Sequence, residues 1–176
     1  MIKNETLETL KTRRSCRAYK PEMITDEELE TVLEAGTWAP TGMGKQSPIL
    51  IAVQNPEDVA ELSIINAEIF GKPGFDPFYG AKTVIVVLAD AERPTRVEDG
   101  SLVLGNMMNA AASIGLGSCW IHRAKETFER EDGKALLKKW GITGNYIGVG
   151  NCILGYAAEP DKAPAPRKDD YITIIK

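Results

Sequence analysis

Leu7 and Leu10 fall three residues apart among acidic and threonine positions, so Asn4 to Thr12 reads as a short helix. Asn4 is its cap, and Glu5 and Glu8 sit at the positive end of the dipole. Pro21 interrupts the chain. Thr25-Asp26-Glu27-Glu28 then forms a capping box ahead of Leu29, Val32, Leu33 and Gly36, which are apolar or small positions at helical spacing. Ile49 to Val53 reads as a short buried strand. Asn55-Pro56-Glu57-Asp58 puts a cap and a proline in the order that starts a helix, which continues through Leu62 and Ile65. The β-branched run Thr83 to Ala89 has the pattern of a central strand covered on both faces.

From about Asp99 to Ile114 the pattern predicts a helix that is apolar or small nearly all round, interrupted by Asn106 and Asn109. Such a helix suits a core or a subunit interface. Gly115-Leu116-Gly117 ends it, and Ser118 to His122 reads as a strand reaching a loop. Glu126 to Trp140 is one further helix stopped by Gly141, and Val149 to Tyr156 a further strand. Gly71 to Gly80, with Pro73, Phe75, Pro77, Phe78 and Tyr79, is too apolar for a solvated linker and reads as packed cover, in the manner of a lid. Glu159 to Lys168, with Pro160, Pro164 and Pro166, is an extended arm. Tyr171 to Ile175 is a β-rich end that needs a sheet to join, an arrangement suited to exchange between protomers.

Composition narrows this picture. A chain of 176 residues is in the range of one domain, here 1–176, and its net charge of −4 argues against a general nucleic-acid or membrane-surface binder. No apolar run follows Met1 and none approaches the length of a bilayer span, so a cytoplasmic protein is the expectation. Cys16, Cys119 and Cys152 are far apart, with no zinc or redox pair, and His122 is the whole imidazole supply. No metal site is indicated. An inventory so poor in acid-base side chains implies that enzyme chemistry here would be carried by a bound cofactor. The glycine-rich turns of dinucleotide and P-loop folds are missing at the motif level.

Against this acidic background Arg13-Arg14-Ser15-Cys16-Arg17-Ala18-Tyr19 stands out. Three guanidinium groups and a hydroxyl suit an anion such as phosphate, and they equally suit the carbonyl end of the preceding helix. The segment Trp38-Ala39-Pro40-Thr41-Gly42-Met43-Gly44-Lys45-Gln46-Ser47-Pro48 is held out of regular structure by its prolines and glycines. It is either a surface loop or a place where backbone approaches a partner closely.

In this order the pieces resemble the FMN-dependent nitroreductase family over essentially the whole chain. RRSCRAY is similar to its Arg-x-Ser-x-Arg/Lys motif, APTGMGKQ to its loop after the second helix, and GLGSCWI to its strand over the isoalloxazine ring. Arg167 stands where that family has a basic phosphate ligand. The resemblance implies an α+β, nitroreductase-like fold with a central mixed β-sheet flanked by helices, in an intertwined homodimer with exchange of the C-terminal arm, 159–176. It implies that Arg13, Ser15 and Arg167 hold the FMN phosphate with Arg14 close by, and that Arg17 reaches the pyrimidine edge. There a fixed cation favours the reduced flavin. Pro40, Thr41, Gly42 and Gln46 are expected from the partner subunit, and Asn66 at the flavin edge. Cys119, Trp120, Ile121 and His122 are expected along the ring, the last three through main-chain contacts.

This sequence departs from the family at Gly44, where an asparagine is usual, at Ser47-Pro48, often Pro-Trp, and at Ala165, often near a lysine. The implied activity is an NAD(P)H oxidoreductase that passes hydride from NADH or NADPH to nitroaromatics, quinones or similar flat electrophiles by ping-pong alternation, through an open pocket. Reductive dehalogenation, flavin breakdown and a non-catalytic FMN-binding or storage role are the alternatives. No catalytic side chain is nominated. His122 either steers substrate or serves through its backbone alone.

Overall fold

The sheet is built from β1 (Pro48–Val53), β2 (Thr83–Asp90), β3 (Gly117–Ile121) and β4 (Tyr146–Gly155), in the spatial order β1-β2-β4-β3. The computed structural model describes residues 2–160 and 163–176. Its helices are α1 (Glu5–Thr12), α2 (Asp26–Thr37), α3 (Pro56–Ile69), α4 (Arg96–Ser113), α5 (Ala124–Glu129) and α6 (Glu131–Lys139). The predicted caps form: Asn4 accepts from the amide of Leu7, Asn55 from those of Glu57 and Asp58, and Thr25 and Glu28 close a full capping box.

β2 is covered on both faces, as its β-branched run demands, and every residue from Thr83 to Ala89 is buried. On one face Ile85 and Val87 pack with Val32 of α2 and with Leu104 and Met107 of α4. On the other Val84, Val86 and Leu88 meet Leu62 of α3, Phe128 of α5, Leu136 of α6 and Phe78 of the 71–80 segment. That segment is packed cover, pinned by Asp76, whose carboxylate accepts from Ser63 and from the amides of Phe78 and Gly80.

Two expectations are corrected. The sheet is antiparallel throughout its four strands rather than mixed; among the described residues the parallel element is an isolated bridge between Ser15 and Ser118. The helix expected from Glu126 to Trp140 is two, broken at an extended Arg130. Gly133 there approaches the Thr127 carbonyl more closely than any side chain allows. The Arg130 guanidinium bonds Asp132 and reaches across to Glu68 of α3. The β-rich end, expected to join the sheet of another protomer, forms no strand with its own chain. Tyr171, Ile172, Ile174 and Ile175 are 68–89% exposed, and the outer edge of β1 carries no partner strand among the described residues. Residues 161 and 162 of the expected arm lie outside the described residues. No described helix is long and apolar enough to cross a membrane.

Candidate active site

The arginine run leaves α1 and is laid along one corner of the sheet. The Cys16 amide donates to the Ser118 carbonyl of β3 at 2.9 Å, Lys20 donates to Tyr156, and Ala158 returns a bond to Ala18. The Tyr19 hydroxyl closes the loop on the Cys16 carbonyl at 3.0 Å. Gly117 is required where Cys16 packs, because a Cβ there would lie 2.8 Å from its sulfur.

The arginines separate by environment. Arg14 turns back, donating through Nε to Thr12 O at 2.9 Å and through Nη2 to Lys11 O, and so satisfies carbonyls at the end of α1. Arg13 does the opposite. Its Nη1 is buried without a hydrogen-bond partner, as is Ser118 Oγ on the neighbouring strand. The Arg13 charge also acts on Cys152, opposing burial and the adjacent Cys119, which together push that thiol up to about 12. Ser15 and Arg17 are exposed, and they line with Cys16 and Glu159 a cavity of about 300 Å³. Arg13 and Arg14 line a second, of about 500 Å³, with Gly117 and Glu159. A buried guanidinium nitrogen lacking an acceptor, beside an unpaired hydroxyl, fits an anionic phosphate.

β3 carries the next group. Cys119 and Ile121 point into the core shared with α3 and α5, while Trp120 faces the α4 side. His122 is exposed at the strand end. Its carbonyl accepts from Asn66 Nδ2 at 2.8 Å, and Asn66 Oδ1 accepts from Arg123 at 3.4 Å. Asn66 is 0% exposed, so it acts within the protein, fixing the strand end. Arg167 is exposed in the tail and donates to Ala165 O at 2.8 Å; no hydrogen bond joins it to the arginine run.

The Pro40–Gln46 loop lies elsewhere. A single carboxylate, Asp99, holds it: Oδ1 accepts from the Gly42 amide at 2.9 Å, and Oδ2 from Ser47 at 3.0 Å and Thr95 at 3.1 Å. Thr41 Oγ1 accepts from the Gln46 amide, and a Cβ on Gly42 would collide with Thr95 Oγ1. Met43 and Gln46 both adopt positive φ, and Trp38 and Met43 are 78% and 80% exposed. The loop enters β1 at Pro48, which shares a row with Ala89 and Ile147, whereas Gly117 faces Gly155 at the far end of β4. At ~4.8 Å per strand step and ~3.4 Å per residue, the two corners are roughly 30 Å apart. One chain therefore brings together Arg13, Ser15, Arg17, Cys119, Trp120, Ile121, His122 and Asn66, and leaves Pro40, Thr41, Gly42 and Gln46 at the diagonal corner.

Sequence reasoning missed Asp99, whose signal was a carboxylate at the start of an otherwise apolar helix. It also missed Ser118, and Arg123 directly after the only histidine.

The profile of the Nitroreductase family matches residues 10–156. A protein of Archaeoglobus fulgidus, provisionally named NADH dehydrogenase/NAD(P)H nitroreductase, is 32% identical over 95% of this chain and 90% of its own length. A nitroreductase with bound FMN from Bacteroides fragilis superposes with a TM-score of 0.91 at 31% identity, covering 99% of this chain and 100% of the other. One from Desulfitobacterium hafniense, also with bound FMN, gives 0.89 at 27% identity and the same coverage.

Proposed function

This chain belongs to the nitroreductase family, and from that premise we propose that it is an FMN-dependent NAD(P)H oxidoreductase acting on nitroaromatics, quinones or similar flat electrophiles, with its sites completed between two copies of the chain. The observation that carries the reading is Arg13 Nη1, buried without an acceptor, two residues before the exposed Ser15 that bridges to Ser118, whose hydroxyl is also unpaired. FMN, held by Arg13, Ser15, Arg17 and the main chain of Trp120 to His122, would supply hydride-transfer chemistry between NADH or NADPH and the acceptor, the two substrates alternating at one face.

The protein holds, orients and tunes. Arg13 and Ser15 bind the phosphate, with Arg167 delivered by the tail. Arg14 secures the end of α1, so that the backbone carrying Arg13 does not move. Arg17 sets a fixed positive charge at the pyrimidine edge, where reduction leaves negative charge. The main chain of Trp120, Ile121 and His122 would line the flavin ring, while the Cys119 side chain packs in the core behind the strand. Asn66 is a positioning residue, acting through the His122 carbonyl. No side chain needs to move a proton for the hydride step.

Pro40, Thr41, Gly42 and Gln46 serve the site of the other copy. The placement supports this, since the strand that the loop enters stands three strand steps, ~14 Å, across the sheet from β3, and the arginine run lies at the diagonal corner. The exposed Trp38 and Met43 give that corner apolar surface for a partner to cover, and the tail's exposed isoleucines supply a strand for exchange. Three buried, free cysteines accord with a cytoplasmic location.

The visible spectrum of purified protein tests the reading. A flavin spectrum that bleaches on anaerobic addition of NADH or NADPH is expected, and oxidised flavin should return with a quinone or nitroaromatic. Protein that folds but cannot be loaded with FMN overturns it; flavin that neither nucleotide reduces leaves a binding or storage protein instead.

A further inference from the structure

β3 ends in an unusual way. Arg123, directly after His122, sits at φ 79° in the left-handed region that disfavours every side chain except the smallest. Its guanidinium is held by Asn66 Oδ1 on one side and lies 4.0 Å from the centroid of the Phe70 ring. Lys72 Nζ stands 5.0 Å from the same centroid. Phe70 also meets Phe75, whose ring contacts Tyr79, and both phenylalanines are about two-fifths exposed. Two cations and two partly exposed aromatic rings thus converge immediately beside the strand end assigned to the flavin ring.

Neither cation is neutralised. In an acidic chain, neither Arg123 nor Lys72 has a carboxylate within ion-pair distance among the described residues. The nearby Glu68 is already taken by Arg130 at 2.8 Å. The negative end of α3 accounts for cations being tolerated here. It does not account for a strained backbone that aims a guanidinium over an exposed ring.

We infer that Arg123, Lys72 and the Phe70–Phe75 faces form the subsite for the adenosine-phosphate half of the nicotinamide nucleotide. The inference rests on the oxidoreductase reading above. The planar fork of Arg123 suits a phosphate, Lys72 adds a mobile point charge, and an exposed ring offers the adenine a stacking face. The nicotinamide can then reach the ring alongside Trp120–His122 while its distal phosphates stay at the strand end.

The test uses full-length protein loaded with FMN. Calorimetric titration with NADP⁺ and NAD⁺, which cannot reduce flavin, is paired with KM for NADPH and NADH. Two variants are compared: Arg123→Gly, whose φ favours glycine, and Lys72→Gln, an exposed change with no packing role. Each should weaken nucleotide binding roughly tenfold at low salt, less so at high salt, and Lys72→Gln, remote from Asn66, should leave the flavin spectrum unchanged. Arg123→Lys should recover part of the loss. A loss confined to the NADP forms assigns the 2′-phosphate, and an equal loss with both assigns the pyrophosphate; either supports the subsite. Unchanged affinity in both variants overturns it. Should the protein refuse FMN, the oxidoreductase reading fails by spectrum, while the NADP⁺ titration still decides whether the patch binds nucleotide phosphate.

Discussion

Asn66 donates its side-chain amide to the main-chain carbonyl of His122 at 2.8 Å, joining the last turn of α3 to the residue that follows β3. Both residues were expected to touch a flavin. The bond gives them different roles: Asn66 is wholly enclosed, and His122 presents its outer surface to solvent. Replacing Asn66 by Ala removes the donor and leaves a carbonyl with no replacement, at a cost of about 1–3 kcal/mol. Urea unfolding should register that loss. FMN affinity should fall with it, because the strand end is no longer fixed, while Asn66→Asp should lose affinity without matching the cavity cost.

Arg13 and Arg14 are neighbours with opposite fates, and their alanine variants should diverge. Arg14 satisfies carbonyls at the end of α1, so Arg14→Ala should lower stability by about 0.3–1 kcal/mol and leave FMN retained through gel filtration. Arg13 keeps a buried nitrogen unpaired in the free chain. Its removal should leave stability unchanged or raised, and release FMN during purification. Equal FMN loss in both variants contradicts the division.

How far the sequence carries depends on the range of the interactions concerned. The capping box at Thr25, the proline at the start of α3 and the β-branched β2 are local signals, and each element formed where its residues predict. The α5–α6 break is not local. It depends on Gly133 meeting the Thr127 carbonyl and on Arg130 reaching Glu68, 62 positions away. The Asp99 anchor is likewise invisible until Gly42, Ser47 and Thr95 are brought around it. Arg14 shows the complementary limit: its spacing matched an anion motif, yet geometry gives its guanidinium to its own helix.

Acid should weaken the fold partly through Asp58. Hydrogen bonds from Lys139 and Trp140 hold its carboxyl below the ordinary range and tie α3 to α6. A depressed carboxyl contributes stability that is complete above the unfolded value of about 3.9, and that is lost as pH falls through the folded value. Asp58→Asn lacks this charge at every pH. The difference in urea midpoint between wild type and variant should therefore be largest at pH above about 5 and shrink below about 4. A difference independent of pH would remove the ion pair from the account.

Arg17 is exposed, yet its predicted effect is on redox. If it stands at the pyrimidine edge, Arg17→Ala should lower the flavin midpoint potential, measured by dye equilibration, with FMN occupancy near that of wild type. Arg17→Lys should fall between them. A potential unmoved in fully loaded Arg17→Ala protein would place the cation elsewhere.

The strongest demand of the proposed function is that Arg13 and the Gly42 loop act in different copies. Gly42→Val should push the loop off Asp99, because any Cβ there collides with Thr95. Alone, Gly42→Val and Arg13→Ala should each bind FMN poorly. If each chain completes its own site, co-expressing them leaves every site defective. If sites are composite, a hybrid pair holds one site carrying both changes and one carrying neither, so random pairing restores about a quarter of the sites. On the same proposal, deleting residues 163–176 should abolish that rescue as well, because it removes the exposed Ile172, Ile174 and Ile175 proposed to pair with a second copy. The readouts are flavin absorbance per chain and the mass of the particle by light scattering. Full recovery of flavin in the mixture, or none, would each exclude the composite arrangement.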